Sequence, residues 1–137
     1  MESHDTSELV RKLFAAYEAG DRLFAEGLLG DDFTFTSPYD DHINRAAFFE
    51  KCWPNRDRVK GFRIEQVIAN GGDAFVLYEC QPTSGDPFRN MEHHVFKDGK
   101  LQHVEVFFGD PPGGVARDEY QRFLGVARAS WKRSREN

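Results

Sequence analysis

Cysteine is scarce: Cys52 and Cys80 are the only two in 137 residues, and neither sits in a C-x-x-C or Cys/His spacing. A disulfide-stapled scaffold, a zinc site and a dithiol redox motif are therefore excluded, and both side chains are expected to be buried thiols. Long apolar runs are absent as well, with nothing near the roughly 20 residues needed to cross a bilayer. The opening MESHDTSELV also lacks a charged segment followed by an apolar stretch. The expectation is a cytoplasmic protein without membrane contact. Basic residues are outnumbered 18 to 23, a formal charge of −5, which argues against a nucleic-acid partner. The one basic cluster, Arg128, Lys132, Arg133 and Arg135, suits the negative end of a helix dipole. No P-loop, G-x-G-x-x-G, G-x-S-x-G or H-E-x-x-H occurs, so neither a cofactor nor a metal is expected.

Aromatic side chains are plentiful, with 13 Phe, 4 Tyr and 2 Trp to fill a core or line a cavity. Asp5 and Glu8 have capping-box spacing, and Leu9, Val10, Leu13, Phe14 and Tyr17 follow at helical period, which predicts a helix over 6–19. Gly20 suits its C-terminus, and Asp21 can cap a second helix ending at Gly30. Phe33 and Phe35 alternate with Thr34 and Thr36 as in a half-buried strand, before turn residues 37–41. Asn44 can cap a third helix with Phe48, Phe49, Cys52 and Trp53 on its apolar face, stopped by Pro54.

Beyond residue 60 the period becomes that of strands. Two hairpins are expected, 62–69 with 74–81 and 88–96 with 101–108, turning at Asn70-Gly71-Gly72-Asp73 and Lys97-Asp98-Gly99-Lys100. After the Gly/Pro segment 109–114, an apolar stripe from Ala116 to Trp131 predicts a C-terminal helix over about 115–132. Helices followed by hairpins define an α+β fold, read as one domain over 1–137 with a core from about 7 to 110.

The helix corner 10–21 (VRKLFAAYEAGD), the strand 31–38 (DDFTFTSP) and the hairpin 94–110 (HVFKDGKLQHVEVFFGD) together resemble the nuclear-transport-factor-like, or SnoaL-like, superfamily. The resemblance implies a cone-shaped curved antiparallel sheet covered by N-terminal helices. That scaffold carries isomerases, cyclases, dehydratases, epoxide hydrolases and non-catalytic binding or dimerisation modules. Against ketosteroid isomerase, the catalytic base falls on Ser37, the first-helix Tyr on Leu13, and the oxyanion-side acid on Glu92. Ser37 cannot replace a carboxylate base. The Asp-Arg-Asp set of limonene epoxide hydrolase has no counterpart.

Strand alternation puts Glu92, His94 and Phe96 on the concave face that the resemblance implies, with Val76, Tyr78, Cys80, Val104, Val106 and Phe108. Glu92 and His94 read either as an acid/base pair or as a satisfied buried pair. Leu13, Tyr17, Ser37 and Trp53 would complete a ligand pocket, with the hydroxyls of Tyr17 and Tyr78 orienting a ligand or simply packing, and His42 at its mouth. Outward Phe75, Leu77, Val95 and Phe107 predict an apolar convex face and a homodimer through it. Two functions fit: proton-transfer catalysis on a small apolar molecule, or a non-catalytic hydrophobic-ligand-binding or dimerisation module.

Overall fold

A computed structural model describes residues 2–119, 121, 122, 124 and 125. Helix α1 spans Ser3–Ala19, earlier than the capping-box reading, and Glu2 serves as its N-cap without a side-chain bond. Its start is set by a distant contact. Ser3 Oγ accepts from the Gly71 amide at 2.9 Å, and Thr6 Oγ1 donates to the Gly71 carbonyl at 2.6 Å. The other end matches the sequence signal: Gly20 takes φ 73°, and the Arg56 guanidinium donates to the Tyr17 and Glu18 carbonyls, satisfying open helix-end acceptors. Helix α2, Arg22–Leu28, begins as expected with Asp21 accepting from the Phe24 amide.

Six strands follow: β1 Leu29–Ser37, β2 Asp40–Asn44, β3 Val59–Asn70, β4 Asp73–Pro82, β5 Phe88–Lys97 and β6 Lys100–Phe107. They form one sheet in the order β2-β1-β6-β5-β4-β3. The four strands from β3 to β6 are consecutive antiparallel neighbours, as the hairpin signals predict. Two features correct the sequence reading. The loop expected after Ser37 is a tight reversal into β2, held by the Tyr39 amide on Ser37 Oγ and the His42 amide on Thr36 Oγ1. Strand β1 also pairs in parallel with β6, with Phe35 opposite Val104. Periodicity identifies a strand, but not its neighbour.

Bulges in β3 between Ile64 and Gln66 and in β6 between Leu101 and His103 add bend and twist to the sheet. On its concave side Val76, Tyr78, Cys80, His94, Phe96, Val104 and Val106 are buried. Helix α1 lies across β3 and β4, with the Phe14 ring edge-on to Tyr78 at 4.8 Å and to Phe62 at 5.2 Å. Helix α3, Arg45–Lys51, is capped by Asn44 as expected and runs into a 3-10 helix, Trp53–Arg58, where Pro54 ends the α-helical pattern. Together these make an α+β fold, with helices closing the concave face of a curved, mostly antiparallel sheet. Residues 117–119, 121–122 and 124–125 are helical; Trp131 and the rest of the expected C-terminal helix lie outside the described residues.

Candidate functional site

Between α1, α3, the 3-10 helix and the concave sheet lies a cavity of about 570 Å³. Leu13, Tyr17 and Trp53 line it from the helices, and Tyr78, Glu92, Val104 and Val106 from the sheet. Ser37 and Phe108 line it where β1 and β6 end. Three residues expected on this wall are elsewhere. Val76, His94 and Phe96 are buried in the core, because Phe14 of α1 sits over Tyr78 and His94 and closes that end of the cone. Cys52 is only half-buried and belongs to the wall with Cys80; both are free thiols.

Asn90, Tyr78, Glu92 and His94 form one hydrogen-bonded chain along β4 and β5. Asn90 Nδ2 donates to the Tyr78 hydroxyl at 3.2 Å, and that hydroxyl donates a short hydrogen bond to Glu92 Oε2. His94 Nε2 lies 2.9 Å from Glu92 Oε1. His94 is 0% exposed, its ring stacked near Phe14 and Phe96, and its Nδ1 has no partner. A proton on Nε2 satisfies the Glu92 bond and leaves Nδ1 a lone acceptor, which costs less than an unpaired donor in an apolar stack. Glu92 therefore reaches the cavity, and His94 stands behind it.

Asn90 was missed, although it shares the alternating face of Glu92 and His94; its carbonyl also accepts from the Gly109 amide at 3.1 Å. Asp40, read as a turn residue, lines the cavity with Ser37 Oγ 3.4 Å away. Burial first, then the charge of Glu92, pushes the Tyr78 phenol above the ordinary range, and burial does the same for Tyr17. Burial also raises both thiols to about 11, with Asp40 adding to Cys52 and Glu92 to Cys80. All four groups keep their protons at neutral pH, which argues against thiolate chemistry.

His42 is not at the cavity mouth. It takes φ 51°, points to solvent and stacks on His103 at 5.0 Å, with Asp41 2.6 Å from its Nδ1. The entrance is instead flanked by Tyr39 and Phe108, rings 5.7 Å apart, with Asp40 and Asp110. Burial, reinforced by His42, holds His103 below the ordinary histidine value. The unfolded chain therefore takes up that proton at a higher pH than the folded one. Stability should fall as pH drops through about 6.5. Urea midpoints at pH 7.5 and 5.5 should show a smaller acid loss for His103→Gln than for the parent; equal losses would place the titration elsewhere.

Among the described residues no helix is long and apolar enough to span a membrane, and no group of three His, Cys, Asp or Glu is placed to hold a metal ion. No curated protein matches the chain. Solved structures do. A Cytophaga hutchinsonii NTF2-like protein of unknown function aligns at TM-score 0.63 and 18% identity, over 79% of this chain and 92% of that one. An LEH-like epoxide hydrolase from M. tuberculosis aligns at 0.65 and 18%, over 77% and 79%. A de novo designed protein with a curved β-sheet reaches 0.70 at 14%, over 92% and 99%. At these identities the likeness establishes the fold alone, and the designed neighbour shows the scaffold existing apart from any natural reaction. The SnoaL-like domain family model matches residues 10–104, from α1 to β6 and across the polar chain of the cavity, and the protein belongs to that family.

Proposed function

We propose that this protein binds a small, largely apolar molecule in the cavity and transfers a proton on it, as in an isomerisation, cyclisation or dehydration. The observation that carries this reading is a carboxylate, Glu92, held by two side-chain donors on the wall of a largely apolar space of about 570 Å³ that also carries Asp40 and Asp110 near its entrance. Such a cavity is large enough for a metabolite, and Glu92 is its carboxylate away from the entrance. Glu92 is the catalytic residue. His94 and Tyr78 fix its orientation, so His94 is a positioning residue rather than a second acid/base. Incubation with metabolite pools in D2O tests the reading: the parent should introduce deuterium into one bound compound, and Glu92→Gln should not.

A second reading follows from both Glu92 oxygens already accepting bonds, which suits a carrier. A compound that binds tightly and is recovered unlabelled and unchanged would favour it. We also propose a homodimer through the convex face, where Ile68, Phe75, Met91 and Phe107 are exposed large apolar side chains. Light scattering should report twice the chain mass, falling to one for Phe75→Asp; a monomeric parent at micromolar concentration removes this proposal. The two free thiols suit a reducing compartment, the cytoplasm.

A further inference from the structure

We infer that the ligand of this cavity is a cation: an organic ammonium compound whose apolar body is enclosed by aromatic rings and whose charge faces carboxylates. The inference rests on the proposed ligand-binding role of the cavity and adds the sign of the ligand's charge.

Among the described residues the wall carries three carboxylates, Asp40, Glu92 and Asp110, and no lysine, arginine or histidine. A neutral ligand that displaced water from these groups would leave their charge desolvated and uncompensated, and an anion would add repulsion. An ammonium group offsets both. Arg56, the neighbouring cation, is turned away, with its guanidinium bonded to the Tyr17 and Glu18 carbonyls.

Asp40 has acceptor capacity to spare, since its side-chain partner Ser37 Oγ is as far as 3.4 Å. The rest of the wall suits a cation equally. Tyr17 and Trp53 meet edge to face at 5.4 Å, and Tyr39 and Phe108 form the exposed ring pair at the entrance. Ring faces are the negative end of the aromatic quadrupole, so they attract a cation while covering its hydrocarbon. Burial is the main cause that raises the proton affinity of Tyr17, Tyr78, Cys52 and Cys80, and the charge of Glu92 or Asp40 adds to it at each of them.

Three probes with one skeleton test the inference on the full chain: 2-naphthylmethylammonium, 2-naphthylmethanol and 2-naphthoate, titrated by calorimetry at pH 7 and low salt. The ammonium should bind about tenfold or more tighter than the alcohol, with the carboxylate weakest. Asp40→Asn and Glu92→Gln should each narrow that gap, with folding checked by circular dichroism; Asp40, at the rim, keeps the test alive if the Glu92 variant unfolds. An alcohol or carboxylate that matches the ammonium overturns the charge inference and leaves the cavity a ligand site. An ammonium preference unchanged in both variants also overturns it. Binding of none of the three overturns both the inference and the ligand-site reading beneath it.

Discussion

Glu92→Gln should slow the proposed proton transfer on the bound compound by about 10²–10⁴-fold, the usual worth of a positioned acid/base group. The amide cannot exchange a proton at this position. It also turns one acceptor oxygen into a donor, facing either the Tyr78 hydroxyl or the His94 Nε2–H that Glu92 now accepts. The side chain of Glu92 is 15% exposed, enough to meet a ligand, whereas that of His94 is fully enclosed. The two positions should therefore differ in kind. His94→Gln should lower kcat about tenfold with KM little changed, because it loosens the carboxylate without touching the ligand. Glu92→Asp should recover part of the lost rate, since the acid survives at a shifted position. An undiminished rate in Glu92→Gln would leave the carrier reading.

The sequence carries the sheet far better than it carries the site. Alternation and turn chemistry give β3 to β6 and their concave face, because each signal is local: a period of two and a reversal within a few residues. What is not local stays hidden. The parallel partner of β1 lies far down the chain, and the start of α1 depends on Ser3 and Thr6 meeting Gly71, a hairpin tip that no capping rule includes. The same limit shaped the site. Alternation put Val76, His94 and Phe96 on the correct face of the sheet, but which part of that face is covered by Phe14 and which is open to the cavity depends on how α1 crosses it. Asp40 looked like a turn residue, and it is one; the reversal also carries it to the cavity rim.

Phe14→Ala should lower the unfolding free energy by about 3–5 kcal/mol, as truncation of a buried aromatic usually does. For a chain of this size that is a fall in thermal midpoint of roughly 10–20 °C. Phe14 is 6% exposed and joins three rings, Phe62, Tyr78 and His94, so its loss removes edge-to-face contacts as well as buried area. The vacated space adjoins the cavity, giving water a route to the unpartnered His94 Nδ1. Phe14→Leu keeps most of the volume and should cost about 1.5 kcal/mol or less. Chemical denaturation with a shared m-value measures both; a loss below about 1 kcal/mol for the alanine variant would mean that α1 is not anchored at this ring.

The parallel pairing of β1 with β6 has a consequence for the order in which the molecule assembles. The hairpin ladder from β3 to β6 closes through short turns, so each step joins segments already near in the chain. Strand β1 must wait: its Thr34 meets His103 across 69 residues, and that loop closes to advantage only once β6 has been added to the ladder. Refolding should therefore protect the amides of β4 and β5 from hydrogen exchange before those of β1 and β2. The cavity, which needs β1 and α3 for one wall, would be the last part of the protein to exist.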